Sequence, residues 1–240
     1  MEFFKTLEVH LLDINKDMTD TWNRFFKGIS NVKVHNDTLE NFLNNNDVQG
    51  IVSPANSFGL MDGGYDKAII DYFGNHLMKR VQDYIIENYC GEQPVGTAFS
   101  VPIYPEVYDC KYLIHCPTMR TPEVIRDSRV IYSCMRSTLI ECMRKEMKSV
   151  VIPAFGGCTG KVDKRELANM MRLAYEQLIN TPNQIDWNSP LRFEDYEITQ
   201  YSHSEEAPII DKDNSTQIVL SHFDVHTLYK FESNGSHTLA

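Results

Sequence analysis

Compact apolar segments alternate with longer segments of helical periodicity along most of the chain. The predicted strands cover residues 6–14, 31–36, 49–54, 96–102, 112–116, 150–153 and 217–223. The predicted helices cover residues 17–28, 38–46, 65–89, 125–147 and 163–179. Strands separated by helices of this length imply crossover units, in which helices pack on both faces of a mainly parallel sheet. The pattern therefore predicts an α/β fold.

The chain is expected to form a single domain over residues 1–240. Residues 181–215 are rich in Asn, Asp, Glu, Ser and Pro and show weak periodicity, which predicts an insertion or lid. Residues 233–240 are predicted to be a flexible tail. Two segments resemble capping boxes that begin helices, Asp37 to Glu40 and Asp163 to Glu166.

Charge and cysteine usage narrow the possible functions. The formal net charge is −10 and no long basic run occurs, which argues against nucleic acid or an anionic membrane as a partner. No apolar run reaches membrane-spanning length, and the first residues lack the pattern of a secretory signal. The six cysteines form no CxxC pair, which predicts reduced thiols in a cytoplasmic protein. The sequence predicts no metal or other cofactor, because no Cys and His residues cluster at zinc-ligand spacing.

Two glycine-rich loops, residues 56–64 and 155–160, each run from a predicted strand into a predicted helix. Backbone N–H groups at a helix N-terminus can hold an anion without any lysine, and glycine lets the backbone approach it closely. Neither a Walker loop nor the GxGxxG dinucleotide fingerprint is present, since Phe155 and Cys158 occupy positions where those motifs need glycine. One such loop is more often an ordinary turn, but two loops on neighbouring strands favour a phosphate-containing ligand.

The residues around these loops resemble the macrodomain family. Residues 51–66 (IVSPANSFGLMDGGYD) are similar to its signature, a buried strand ending in Ala-Asn, then glycines and an Asp at a helix start. Residues 153–160 (PAFGGCTG) resemble its second ligand loop, residues 36–38 (NDT) its Gly-Asp-Ile turn, and residues 112–117 a further strand. The resemblance extends over about residues 31–179.

This resemblance implies a three-layer α/β/α fold with a mixed, mainly parallel central sheet and ADP-ribose in a crevice at one edge. It implies that Asp37 binds the adenine amino group and that Asn56 binds the distal ribose. The diphosphate and distal ribose are expected to contact the remaining ligand-binding residues, Gly63, Gly64, Tyr65, Gly156, Gly157, Cys158, Thr159 and Gly160. Phe223, at the end of the last predicted strand, is placed to stack on adenine or to pack in the core.

Departures from the family pattern indicate a divergent branch. Ser53-Pro54 replaces the usual Asn-Ala, Asn36 replaces Gly, and Cys158 lies within the second loop. Residues 181–215 have no counterpart in a minimal macrodomain. The branch resembles macrodomain-like proteins associated with processing of ADP-ribose 1''-phosphate.

Asp66 and Asn56 are the predicted catalytic residues, at the ten-residue separation seen in hydrolytic macrodomains. The Asp66 carboxylate would act on a water that attacks the distal ribose. Each candidate also has a structural interpretation. Asp66 could stabilise the helix dipole, Asn56 could bond its own loop backbone, and Asp37 could cap a helix. Cys158, among helix N-terminal amides, is either a loop residue or a nucleophile.

Three hypotheses follow from the sequence. The first is a hydrolase that cleaves ADP-ribose 1''-phosphate or a mono-ADP-ribosyl ester on a protein. The second is a non-catalytic reader of ADP-ribose; readers can lack the carboxylate at the position of Asp66, and here it is present. The third is a structural module with an inactive pocket, against which the intact glycines of both loops argue.

Overall fold

The computed structural model describes residues 2–104, 107–185 and 189 of the chain. Within these residues the strands are β1 (Glu8–Leu12), β2 (Val32–His35), β3 (Gly50–Ser53), β4 (Phe99–Pro102), β5 (Tyr112–His115) and β6 (Ser149–Pro153). The helices are α1 (Glu2–Thr6), α2 (Lys16–Phe25), α3 (Leu39–Asn45), α4 (Gly64–Phe73), α5 (His76–Tyr89), α6 (Arg129–Arg144) and α7 (Lys164–Ile179).

The six strands form one sheet in the order β2-β1-β6-β3-β5-β4. All neighbouring pairs are parallel except β4 and β5, which are antiparallel. The central strands read as continuous apolar segments, and β6 is buried along its whole length. Parallel sheets are packed against helices on both faces, so both sides of each central strand are buried and its residues are apolar.

Two apolar clusters occupy the two faces of the sheet. One joins the sheet to α1, α2, α6 and α7 and contains Phe4, Trp22 and Tyr175. The other joins it to α3, α4 and α5 and contains Phe42, Ile69 and Leu77. Val151 of β6 belongs to the second cluster, whereas its neighbours Val150 and Ile152 belong to the first. The predicted three-layer α/β/α architecture with a mixed, mainly parallel sheet is confirmed.

The helix predicted over residues 65–89 is in fact two helices. Gly74 follows α4 with φ +100°, and its N–H donates to the Ile70 carbonyl. A residue in this conformation cannot continue a right-handed helix, so α5 begins again at His76. The apolar periodicity continues through the break because both helices pack on the same cluster.

Helix α6 begins later than the predicted position 125. The Ile125 N–H donates to the Gly160 carbonyl at 2.9 Å, so this residue belongs to a connection between loops rather than to a helix. The first strand is also shorter than predicted, because residues 2–6 form α1 in front of it. The sequence analysis did not predict α1, a single short turn with the buried residue Phe4.

The predictions near the C-terminus fall almost wholly outside the described residues. These predictions are the insertion or lid at 181–215, the strand at 217–223 with Phe223, and the tail at 233–240. Of the insertion, only residues 181–185 and 189 are described, and they form neither helix nor strand. In the described part of the chain, no helix has the length and apolar character needed to cross a bilayer.

Candidate functional site

The carboxyl ends of five parallel strands meet at one edge of the sheet. β3 and β6 are direct neighbours, with Ile51 paired to Val151, so the two glycine-rich loops that follow them lie side by side. Ligands of open α/β sheets bind at this edge. A second concavity, lined by residues including Leu43, Tyr72 and Tyr108, lies where the chain enters β3 and β5, at the opposite edge.

The first loop leads into α4, and the N-terminus of this helix has no side-chain cap. The N-cap is Gly63, which has no side chain to bond the N–H groups of the first turn. Those groups have no acceptor within the helix. Gly63 and Gly64 are exposed, and apart from chain neighbours no heavy atom lies within 4 Å of the position that a Cβ would take on either. The start of α4 is therefore open to an anion.

The tip of the second loop is exposed to solvent, and its two ends are buried. Gly157, Cys158 and Thr159 are exposed, whereas Gly156 and Gly160 are buried. Gly156 has φ +69°, and a Cβ on Gly160 would lie 2.6 Å from both the Gly156 carbonyl oxygen and Ile125 Cδ1. The two buried glycines thus allow the loop to fold closely on itself, and its tip is the exposed part.

The N-terminus of α7, after the second loop, is already satisfied by the protein. The Asp163 carboxylate accepts hydrogen bonds from the backbone N–H groups of Arg165 and Glu166. This agrees with the cap predicted at Asp163. Of the two helix N-termini behind the loops, only that of α4 lacks a side-chain cap.

Asp66 lies in the first turn of α4, and its Oδ1 accepts a 2.6 Å hydrogen bond from the Ser53 hydroxyl at the end of β3. Burial raises the pKa of Asp66 to about 7. The Ser53 hydrogen bond lowers this pKa, while the charge of Asp62 raises it further. A carboxylate that titrates near neutrality has the property required of a general acid or base.

Tyr65 lies beside this carboxylate. Its hydroxyl is buried and has no hydrogen-bond partner among the described residues. Burial raises the pKa of the phenol, and the charges of Asp66 and of Asp13 act in the same direction. Asp13 directly follows β1 and was not identified from the sequence, where it appeared inside a predicted strand. Burial raises the pKa of Asp13 as well.

Asn56 is buried, and its amide is engaged by its own loop. Oδ1 accepts from the Phe58 N–H at 3.0 Å, and Nδ2 donates to the Leu60 carbonyl at 3.0 Å. This is the structural interpretation raised from the sequence. One N–H of the side-chain amide is left for a ligand, since the group carries two donors.

Asp37 lies at the carboxyl edge after β2, but it is not the N-cap of α3. The cap is Thr38, whose hydroxyl accepts from the Asn41 N–H. Asp37 Oδ1 accepts instead from the Thr38 N–H at 2.8 Å. The predicted capping box of Asp37 and Glu40 is therefore wrong by one residue, because Thr38 adopts the extended cap conformation.

The segment after β5 ties the two loops together, a role that the sequence did not indicate. The Ser57 N–H lies within hydrogen-bonding distance of the carbonyls of Met119 and Arg120, and Asn56 forms an isolated bridge with Met119. Ile125 packs against the second loop near Gly156 and Gly160. Pro122, together with Asp127 and Ser128 as cap-type residues, is the sequence signal that could have placed the helix start after this segment.

Comparison with known proteins identifies the family of this fold. The macro domain family model matches residues 52–171, half of the chain, and the chain belongs to the macrodomain family. An uncharacterized protein of Aquifex aeolicus (strain VF5) is 32% identical over 125 residues, which is 52% of this chain and 71% of that protein.

Among solved structures, the Oceanobacillus iheyensis macrodomain with ADP has a TM-score of 0.51 at 17% identity, over 67% of this chain and 88% of that one. The same macrodomain with MES bound gives the same TM-score, identity and coverage. At this identity the similarity establishes the shared fold.

The packing of the second loop makes a prediction about stability. Gly160→Ser should lower the free energy of unfolding by about 1–3 kcal/mol, because the new Cβ overlaps the Gly156 carbonyl and Ile125 in a packed region. Gly63→Ser is the matched control and should change it by less than about 0.5 kcal/mol, as for an open surface position. Urea denaturation of both variants measures the difference, and equal losses would show that the loop is not packed as described.

Proposed function

We propose that this protein binds ADP-ribose at the carboxyl edge of the sheet and hydrolyses a bond at the distal ribose. The substrates are ADP-ribose 1''-phosphate or a mono-ADP-ribosyl ester on a protein. The observation that carries the proposal is the position of the partly buried Asp66 carboxylate. It lies in the first turn of a helix that has no side-chain N-cap, and burial raises its pKa to about 7.

The diphosphate is assigned to the start of α4. Gly63 and Gly64 leave space there, and the positive end of the helix dipole favours an anion. The exposed tip of the second loop, Gly157 to Thr159, contacts the ligand from the other side. Gly156 and Gly160 shape that tip, because there is no room for a Cβ on either of them.

The adenine end is assigned to the neighbourhood of Asp37. Asp37 uses one carboxylate oxygen for the Thr38 N–H, and its other oxygen can accept from the adenine amino group. With the diphosphate at α4, this arrangement directs the distal ribose toward Asn56 and Tyr65.

Asp66 is assigned to the hydrolytic step. In its ionised form, above its pKa of about 7, it takes a proton from a water whose oxygen bonds to the anomeric carbon of the distal ribose. The bond from that carbon to the phosphate or ester oxygen breaks in the same step, and phosphate or the protein carboxylate leaves. The loops contribute by holding the ribose and the water together, which is itself a large part of catalysis. The macrodomain of Oceanobacillus iheyensis, whose structure is with ADP, supports the choice of an adenine nucleotide as ligand.

A non-catalytic reader of ADP-ribose is the second candidate, and the state of Asn56 favours it. Its side-chain amide is already bonded to Phe58 and Leu60, so it is less free to orient a ribose for chemistry. The two candidates share the binding site and differ only in turnover.

Binding is tested by placing a negative charge at the start of α4. Gly63→Asp should weaken ADP-ribose binding by about tenfold or more, because unit charges a few ångströms apart near a protein surface repel by several kcal/mol. Gly63→Asn is the neutral control of the same shape and should weaken binding less. Both residues are good N-caps, so stability should be maintained. Calorimetry measures the ADP-ribose affinity of each variant. Equal affinities would mean that the diphosphate lies elsewhere.

Turnover is tested at Asp66. Asp66→Asn should reduce hydrolysis by ~10²–10⁴-fold, the usual contribution of a positioned acid or base, while ADP-ribose affinity changes little. The control is Asp71→Asn, which removes an exposed carboxylate on the same helix that is paired with Lys67. Release of phosphate from ADP-ribose 1''-phosphate, and of ADP-ribose from a modified protein, measures the rate.

Two outcomes contradict this assignment. If Cys158→Ser abolishes turnover while Asp66→Asn does not, the mechanism is nucleophilic. If the unmodified protein binds ADP-ribose and hydrolyses neither substrate, the reader is the correct function.

A further inference from the structure

The Ser53 hydroxyl is fully buried at the end of β3, yet its neighbours on the strand are apolar. Burying a hydroxyl costs free energy unless it is hydrogen-bonded. Its described partner is Asp66 Oδ1, 2.6 Å away, thirteen residues further along the chain. This hydrogen bond joins the carboxyl end of a central strand to the first turn of α4.

The position of Ser53 is fixed by its surroundings. Pro54 follows it, and a residue before proline is restricted to extended backbone conformations. The Ser53 carbonyl accepts from the Cys116 N–H at 2.9 Å, which holds the end of β3 to the neighbouring strand β5. The hydroxyl is therefore presented to Asp66 from a rigid support.

The Ser53 hydroxyl opposes the influences that raise the pKa of Asp66. Burial and the nearby Asp62 both favour the neutral acid, and among the described residues no cation is found to lower the pKa of Asp66. The Ser53 hydroxyl is the strongest influence in the opposite direction, followed by the backbone N–H of Asp66 itself. With Oδ1 held by Ser53, Oδ2 is the oxygen left to accept a proton.

We propose that Ser53 is a positioning residue, whose buried hydroxyl orients the Asp66 carboxylate and keeps it ionised for the hydrolytic step. The proposal rests on the function proposed above. It also gives a role to the serine at a position where the family pattern has asparagine.

The first test follows the Asp66 carboxyl directly, without activity. Carbon-detected NMR titration of the labelled carboxyl in the ligand-free protein should show a pKa about one to two pH units higher in Ser53→Ala than in the unmodified protein. The control is Ser100→Ala, which removes a similar hydrogen bond, from Ser100 to Glu141 at 2.7 Å, outside the site. The control should leave the Asp66 titration unchanged. An unchanged titration in Ser53→Ala would overturn the proposal.

The second test is the pH dependence of hydrolysis of ADP-ribose 1''-phosphate and of a mono-ADP-ribosylated protein. Asp66 must be ionised to accept a proton, so a raised pKa moves the acid limb of the profile to higher pH. Ser53→Ala should lose about 10- to 100-fold in kcat well below neutral pH, matching a pKa rise of about one to two units. It should recover much of this loss at higher pH, with a smaller change in KM. Ser100→Ala should retain the unmodified profile.

The two tests separate failure of this proposal from failure of the proposed function. If the Asp66 titration moves but the pH profile does not follow it, Ser53 has no part in turnover and the proposal is overturned. If the unmodified protein hydrolyses neither substrate, the hydrolase function fails and the catalytic role of Ser53 fails with it. The titration then still reports whether Ser53 sets the ionisation of Asp66.

Discussion

Parallel pairing of β3 with β6 is the constraint on which the rest of the site depends. The two strands are distant in sequence, and their pairing places both glycine-rich loops at the same edge of the sheet. Gly50, at the start of β3, leaves room for the Met147 side chain, because a Cβ there would lie 2.7 Å from the Met147 sulfur. Without this pairing, Asp66 and the exposed tip of the second loop would not lie at the same edge, where the proposed ligand would contact both.

The helices that follow the two loops begin differently, so the loops have different roles in the proposed binding. The first leads into a helix whose N-terminus is left uncapped by Gly63, whereas the second leads into a helix capped by Asp163. An anion therefore finds unsatisfied N–H groups at α4. The segment after β5, through Met119 and Ile125, fixes the separation of the two loops. Two partly buried carboxylates, Asp13 and Asp66, lie at this edge, and burial raises the pKa of each.

The three layers, the succession of the main strands and helices along the chain and the two glycine-rich loops were predicted from the sequence. These features depend on apolar periodicity and on the placement of glycines. The prediction failed where a single backbone conformation decides the outcome. Gly74 interrupts a continuous helical pattern, and Thr38 displaces Asp37 as a cap. The Ser53–Asp66 hydrogen bond could not be predicted, since it depends on the packing of α4 against the end of β3. Ser53 was visible only as a departure from the family motif. The role of Phe223 remains a prediction, because it lies outside the described residues.

The central claim is that ADP-ribose occupies the carboxyl edge, between the start of α4 and the tip of the second loop. Titration of the isotopically labelled protein with ADP-ribose, followed by backbone amide NMR, tests it most directly. The account predicts the largest shifts at Gly63, Gly64 and Tyr65 and at residues 157–159. Shifts confined to the opposite edge, around Leu43 and Tyr108, or no shifts at saturating ADP-ribose, would contradict it.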